Sequence, residues 1–230
     1  MAIVYANAAD GYIDSGSQSS HANARGASSG TTSTSGTSSS EAVRYFKSSS
    51  RGSTSYFVRR TFLWFDTSGI TETLSEATLK VYPSTNACDI IALKSDAFGG
   101  DGGSSLASAD FNNLDFSTPY SAEIESGDLG GGAYRDIALN STALADIKNN
   151  NVIIIALANY HQDYLNTEPG IDANVRFGMH FADFGGTSRD PHIDYTVVTG
   201  YGHGVNGVAS ANISKVNGIA TASISKVNGV

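Results

Sequence analysis

Residues 54–65 of the chain read TSYFVRRTFLWF, and this segment decides the class of fold. It is dense in aromatic and β-branched residues, which favour a β-strand. Alternate side chains of a strand point to opposite faces, so we expect Phe62 and Trp64 to share one face. Leu63 and Phe65 then share the opposite face. Because both faces are apolar, the segment predicts a central strand that is covered on both sides.

Many other segments have a strand-forming composition and are separated by turns rich in Gly, Ser and Asn. They are residues 2–6, 42–47, 77–82, 89–94, 152–157, 175–181 and 192–198. Residues 104–111 and 141–148 predict two short helices, because each has a Ser near its start that can cap the first free N–H groups. No long amphipathic helix and no alternation of strands with helices occurs. We therefore predict an all-β fold, an antiparallel jelly-roll β-sandwich.

Residues 14–40 consist mainly of Ser, Thr and Gly and predict a long polar loop. A firmer patch, His21–Arg25, and a short strand are expected within it. A loop of this length inside a compact domain is unusual and is either mobile or functional. We interpret it as a solvated surface excursion.

The composition excludes several classes of protein. The 14 Lys and Arg residues against 22 Asp and Glu give a net charge of −8, which argues against a nucleic-acid surface. The single cysteine, Cys88, excludes an intrachain disulfide framework. The longest apolar run, residues 152–158, is far shorter than the roughly 20 residues of a membrane-spanning helix, so no membrane span is predicted. The N-terminal segment does not resemble a secretory signal, so we expect assembly in a cytoplasm and release on a particle.

The last thirty residues contain a tandem repeat. Val-Asn-Gly begins at residues 205, 216 and 227, which is a period of 11 residues. Asn-Gly is a strong signal for a two-residue hairpin turn, and a turn at Asn217-Gly218 places Val216 opposite Ile219. An 11-residue period also fits a right-handed helical supercoil, but a glycine costs about 1 kcal/mol in a helix interior. We therefore predict a β-ribbon.

A lone two-stranded ribbon is marginal in water, so we expect this tail to need a partner surface. The chain is accordingly divided into a sandwich domain, residues 1–198, and a repeat tail, residues 199–230, which serves docking or oligomerisation. The predicted docking residues are Val208, Ile213, Val216, Asn217, Gly218, Ile219 and Ile224.

The sequence contains none of the common catalytic or phosphate-binding motifs, GxSxG, GxxxxGK[ST] and HExxH. No catalytic residue and no cofactor is therefore predicted. Asp101 and Asp172 lie in loops that offer oxygen ligands, but neither loop has the spaced acidic pattern of a calcium site, so no metal is predicted. A charged residue beside apolar strand positions must be paired or reach water, and we expect Arg60 to pair with Asp66 or Asp190.

The segment NYHQDYLN, residues 159–166, follows a buried strand and supplies the candidate glycan-binding residues. These are Tyr160, His161, Asp163 and Tyr164. Alternation places His161 and Asp163 on one side, where they and the two tyrosines would form a sugar- or metal-binding rim. The alternative is the start of a polar loop whose aromatic residues fold into the edge of the core.

Five motifs together carry a resemblance to known proteins. They are DGYI (10–13), ARGASSG (24–30), RRTFLWFDTSGI (59–70), SEATLKVYP (75–83) and GTSRDPHIDY (186–195). They resemble a β-sandwich type that is widespread in phage structural proteins. They are also similar to the DNRLRE-type jelly-roll domains of bacterial surface proteins and polysaccharide-active enzymes. The resemblance covers about residues 2–198, and the tail looks like repeats found near the ends of phage virion proteins.

The resemblance implies a non-enzymatic component of a tailed-phage virion: a fibre, spike, decoration or tail-associated protein. The implied partners are other virion proteins of the capsid or tail and sister chains, with a trimer favoured. DNRLRE-like domains are associated with carbohydrate binding, so a host polysaccharide is a further implied partner. The first alternative is a carbohydrate-binding module of a surface or secreted protein, and the second is a polysaccharide lyase or glycosidase.

Overall fold

The computed structural model describes residues 2–34, 38–198, 215–216 and 219–220, and the antiparallel, all-β prediction is confirmed. The strands are β1 (Ala2–Tyr5), β2 (Gly11–Asp14), β3 (Thr31–Ser33), β4 (Ser38–Ser50), β5 (Ser53–Asp66), β6 (Leu74–Val81), β7 (Pro83–Asn86), β8 (Ile90–Ser95), β9 (Leu114–Pro119), β10 (Arg135–Ala138), β11 (Val152–Asn159), β12 (Ala173–His180), β13 (His192–Val197), β14 (Lys215–Val216) and β15 (Ile219–Ala220). The helices are α1 (His21–Arg25) and α2 (Ser141–Asn149), with 3-10 turns at Phe98–Gly100, Ser108–Asn112 and Ser126–Leu129 and a π-helical turn at Tyr160–Tyr164.

Two sheets form the body of the protein. The small sheet has the strand order β1-β13-β6-β10, and the large sheet runs β7-β12-β4-β5-β11-β8-β9, with β2 bridging β3 and β5. Every pairing is antiparallel. Leu63 and Phe65 of β5 lie in the main core. The small sheet contributes Leu79 and Ile193 to the same core, so the two sheets form a sandwich.

The other face of β5 is also covered, as its sequence predicts. Phe62 lies in a second apolar cluster with Phe98 and Phe111, which belong to the segment between β8 and β9. Trp64 packs against this cluster, and Ala24 of α1 belongs to it. The middle strand of the large sheet is therefore buried between the small sheet and a layer of loops and short helices.

Residues 14–40, predicted as a long polar loop with a firmer patch and a short strand, contain α1 at that patch and the short strand β3. Ser20 begins α1, because its hydroxyl accepts a hydrogen bond from the backbone N–H of Asn23. His21 and Ala24 are buried, β3 pairs with β2, and β4 already begins at Ser38. The helix predicted at residues 104–111 is shorter than expected, because the helical turn there spans only Ser108–Asn112.

The described part of the tail forms a sheet of its own. β14 pairs with β15, with Val216 opposite Ile219, which is the register that a two-residue turn between them gives. Among the strands that the structure describes, those of this two-stranded sheet pair with neither sheet of the sandwich. Ile219 is 56% exposed. Of Val216 only the backbone is described. The other predicted docking residues lie outside the described residues, and they are Val208, Ile213, Asn217, Gly218 and Ile224.

Among the helices of the described residues, none is long and apolar enough to cross a membrane.

Candidate functional site

The candidate glycan-binding segment forms a π-helical turn directly after β11. The Asn159 side chain accepts a hydrogen bond from the N–H of Gln162 at 2.7 Å, which begins the turn. Single π-helical turns are rare in proteins, and those that occur often lie at functional sites. The turn replaces strand alternation, so the prediction that His161 and Asp163 lie on one side is wrong: the His161 side chain is 47% exposed, whereas Asp163 is completely buried.

Asp163 is the partner of a buried arginine. Its two carboxylate oxygens accept hydrogen bonds from Nη2 and Nε of Arg60, both at 2.7 Å. Arg60 also donates to the carbonyls of Phe111, at 2.8 Å, and Arg25, at 2.7 Å. Its guanidinium lies 4.2 Å from the centre of the Phe111 ring. Asp163 is therefore a structural anchor between β5 and the π-helical turn, and it does not line an exposed rim.

The predicted partners of Arg60 are therefore wrong. Asp66 is exposed and accepts hydrogen bonds within its own turn. Asp190 lies near the end of the small sheet, just before β13. Arg59, on the opposite face of β5, forms an ion pair with Asp14, with Nη2 and Oδ2 3.0 Å apart. The apolar strand residues beside Arg60 indicate that this charge needs a partner, but they cannot identify a partner 103 residues away.

Tyr160 and Tyr164 stack on each other, with ring centroids 5.6 Å apart. Both rings are partly buried and pack against a small apolar cluster formed by Ile91, Leu93 and Ala158. This is the arrangement of the alternative interpretation, in which the aromatic residues cover the edge of the core. Because each ring is only half-buried, part of the stacked pair remains accessible beside the exposed His161.

Asp89, Glu123 and His161 form a group that we call the His161 cluster. Nε2 of His161 lies 2.9 Å from Oδ2 of Asp89 and 3.5 Å from Oε1 of Glu123. The other oxygen of Asp89 accepts a hydrogen bond from the N–H of Ser126 at 2.7 Å. Burial opposes ionisation of Asp89, but the hydrogen bonds from Ser126 and His161 outweigh it and lower the pKa of this carboxyl.

The donor set of the His161 cluster is one imidazole and two carboxylates, all of which are metal ligands. His161 can be identified as a candidate from the sequence, whereas Asp89 and Glu123 cannot. No spacing rule connects them, because the three residues come from separate loops that only the folded sheet brings together. The prediction of no metal site rests on the loops of Asp101 and Asp172, and it does not take this cluster into account.

A chain of aromatic rings lines one end of the small sheet. Consecutive ring centroids lie 4.7–5.4 Å apart. In order, the rings are Tyr5, His192, Tyr134, Tyr82, His180 and Phe184. The guanidinium of Arg189 lies 4.9 Å from the Tyr82 ring and 4.8 Å from the Phe184 ring. Most of these rings partly cover one another. Tyr5, the first ring of this aromatic chain, is 41% exposed.

Two buried carboxyls adjoin this aromatic chain. Oδ2 of Asp10 accepts a hydrogen bond from the N–H of Ala182 at 3.0 Å. Among the described residues, neither Oδ1 of Asp10 nor Oδ1 of Asp190 has a hydrogen-bond partner. Burial, together with nearby Asp183 and Asp190, raises the pKa of Asp10 to about 8 against the lowering effect of the Ala182 hydrogen bond. Asp10 is therefore mainly protonated at neutral pH.

A polar groove of about 650 Å³ lies beside the ends of β8 and β11. Its lining includes Lys94, Asp96, Asp101 and Asn150. The volume is within the range of small-molecule sites. Lys94 is engaged with Asp146, with Nζ and Oδ2 2.9 Å apart, so the basic group of the groove is already neutralised.

No protein-family model matches the chain. No curated protein matches it significantly. A function can therefore be proposed only from the sequence motifs and from the geometry of these surfaces.

Proposed function

We propose that the protein is a non-enzymatic structural component of a tailed-phage virion, which displays a β-sandwich and is attached through its C-terminal repeats. The observation that carries this proposal is the separate sheet of β14 and β15. Its register places Val216 opposite Ile219, as the Asn-Gly repeat requires. The resemblance of the sandwich and of the repeats to phage proteins supports the location in a virion.

The sandwich supplies its own core, so the tail is available for another role. Both faces of β5 are covered by residues of the sandwich domain. The two-stranded sheet of the tail, in contrast, presents Ile219 to solvent. Because a two-stranded ribbon is marginal by itself, burying such side chains against a virion protein or a sister chain would stabilise it.

The test compares particles that contain the intact chain with particles made when the chain lacks residues 199–230. We expect the shortened chain to be absent from purified particles although it is present in the producing cells. Ile219→Asp should reduce incorporation, whereas Ala220→Ser, on the neighbouring residue, should not. Equal incorporation of the intact and shortened chains would rule out attachment through the tail.

Glycan binding by the displayed sandwich is a second candidate function, and it is compatible with the first. The supporting observation is the partly exposed stack of Tyr160 and Tyr164. Tyrosine combines an apolar ring with a polar hydroxyl, which suits a sugar ring and its hydroxyl groups. The same site would serve the alternative of a carbohydrate-binding module on a surface or secreted protein.

A glycan array tests this second candidate. Tyr164→Leu retains an apolar cover over the small cluster but removes the ring, and we expect it to abolish binding. Tyr5→Leu changes an exposed tyrosine of the small sheet and should leave binding intact. If Tyr5→Leu abolished binding and Tyr164→Leu did not, the glycan site would lie on the aromatic chain instead. If the intact protein bound no glycan, glycan binding would be excluded.

A further inference from the structure

The three residues of the His161 cluster project from segments whose backbones are hydrogen-bonded to one another. Ile90 and Ile124 form an isolated bridge in which each N–H donates to the carbonyl of the other, at 3.0 and 2.9 Å. These residues directly follow Asp89 and Glu123. The N–H of Tyr160 donates to the carbonyl of Asp89 at 2.9 Å and thereby holds the π-helical turn against the same segment. The three side chains therefore start from fixed backbone positions.

The separations between the donor atoms suit one shared cation. Nε2 of His161 lies 2.9 Å from Asp89 Oδ2 and 3.5 Å from Glu123 Oε1. Two ligands of a tetrahedral ion with bonds of about 2.0 Å lie about 3.3 Å apart. The two distances from Nε2 of His161 thus differ from this value by only a few tenths of an ångström, and all three donor atoms lie within 4.8 Å of one another.

The charge distribution and the orientation of the cluster favour a cation as well. Two carboxylates converge on one imidazole, and a cation placed among them would offset their mutual repulsion. The hydrogen bond from the N–H of Ser126 to the second oxygen of Asp89 fixes the orientation of this carboxylate. Outer hydrogen bonds of this kind orient the ligands in metal sites.

We propose that Asp89, Glu123 and His161 bind one divalent transition-metal ion of the Zn²⁺, Co²⁺ or Mn²⁺ type. Imidazole and carboxylate together suit these ions, whereas Ca²⁺ takes six to eight oxygen ligands and Cu⁺ selects thiolates and thioethers. Three protein ligands leave at least one coordination position for water. His161, with 47% of its side chain exposed, gives the ion access from solvent. The inference does not rest on either function proposed above, although the His161 ring lies 5.3 Å from the Tyr160 ring of the glycan candidate.

Calorimetric titration of ZnCl₂ into the full-length chain at neutral pH tests the site. We expect one Zn²⁺ to bind per chain, and His161→Ala to weaken binding by at least about tenfold. Asp89→Asn should have a similar effect. The matched control is Glu125→Gln, which removes a neighbouring exposed carboxylate outside the cluster and should leave the affinity unchanged. His203→Ala controls for the imidazole of the tail.

Thermal unfolding provides a second readout that also shows whether each variant folds. Zn²⁺ should raise the melting temperature of the intact chain and of Glu125→Gln, because an ion that binds only the folded state stabilises it. It should not raise that of His161→Ala. The proposal is overturned if the intact chain shows no saturable binding of Zn²⁺, or if His161→Ala binds as tightly as the intact chain.

Discussion

Arg60 is a fully buried guanidinium whose N–H donors all face acceptors. Nε and Nη2 bind Asp163, Nη2 also binds the Arg25 carbonyl, and Nη1 lies 2.8 Å from the Phe111 carbonyl and 3.4 Å from Oδ1 of Asn112. Removing charges from water is costly, and good geometry with complete hydrogen bonding offsets the cost. The pair therefore fixes the position of the π-helical turn more than it adds to stability.

Replacement of one partner should be severe for this reason. Asp163→Asn leaves the charge of Arg60 buried and uncompensated, and we expect a loss of about 3–5 kcal/mol in the free energy of unfolding. Asp136→Asn is the matched control, because Asp136 forms an exposed ion pair with Lys80 and should cost less than about 1 kcal/mol. Urea unfolding measures both, and similar losses for the two variants would contradict the structural role of Asp163.

Asp10 should make the stability depend on pH. Its pKa is about 8 in the folded chain, against 3.8 for the ordinary side chain, so the folded state retains a proton that the unfolded state releases. The contribution is therefore fully present below about pH 4 and is lost as the pH rises towards 8.

The variant Asp10→Asn isolates this contribution. The free energy of unfolding of the natural chain, relative to that of Asp10→Asn, should fall between pH 4 and pH 8, by at most roughly 6 kcal/mol, and then level off. Urea unfolding at several pH values checks this. A difference between the two proteins that does not change with pH would show that Asp10 titrates normally in the folded state.

For the secondary-structure elements, the alternation of side chains along a strand predicts which face each residue lies on, wherever apolar residues are dense. Phe62 and Leu63 lie on opposite faces of β5 and both are buried, as predicted. In residues 14–40, the expected firmer patch and short strand are present as α1 and β3, but alternation failed to predict that β4 already begins at Ser38. It failed again at His161 and Asp163, because a π-helical turn has no signature in the spacing of side chains.

The candidate site was predictable only in part for a related reason. His161 and the two tyrosines adjoin one another in the sequence and were selected together. Asp89 and Glu123 reach His161 through the pairing of strands and loops distant in sequence, which one sequence does not specify. The same limit applies to the partner of Arg60.

The bulge in β12 provides a test at the scale of an element. The register between β12 and β4 shifts around Gly178, where an added Cβ would lie 2.5 Å from the carbonyl oxygen of Ser39 and 2.6 Å from Cα of Ser40. Gly178→Ala should therefore separate two central strands and lower the free energy of unfolding by about 1–3 kcal/mol or more. Gly185→Ala, which meets no atom within 4 Å, should have little effect. Equal urea midpoints for the two variants would contradict the close packing of β12 on β4.

At the scale of the whole molecule, the sandwich and the tail should be separable. The sandwich has its own apolar clusters on both faces of β5, and within the described ranges the sheet of β14 and β15 is not joined to it by strand pairing. A chain lacking residues 199–230 should therefore unfold in urea with the same midpoint as the full chain. A large drop in the midpoint would show instead that the tail completes the fold of the sandwich.

The central claim is that the repeats attach the sandwich to a particle, and transfer of the repeats tests it most directly. Residues 199–230 are fused to an unrelated soluble carrier protein, and the number of carrier molecules per purified particle is measured. We expect the carrier to be incorporated, and we expect Ile219→Asp in the fusion to reduce its incorporation. A carrier that stays out of the particles, while the intact protein enters them, would contradict it.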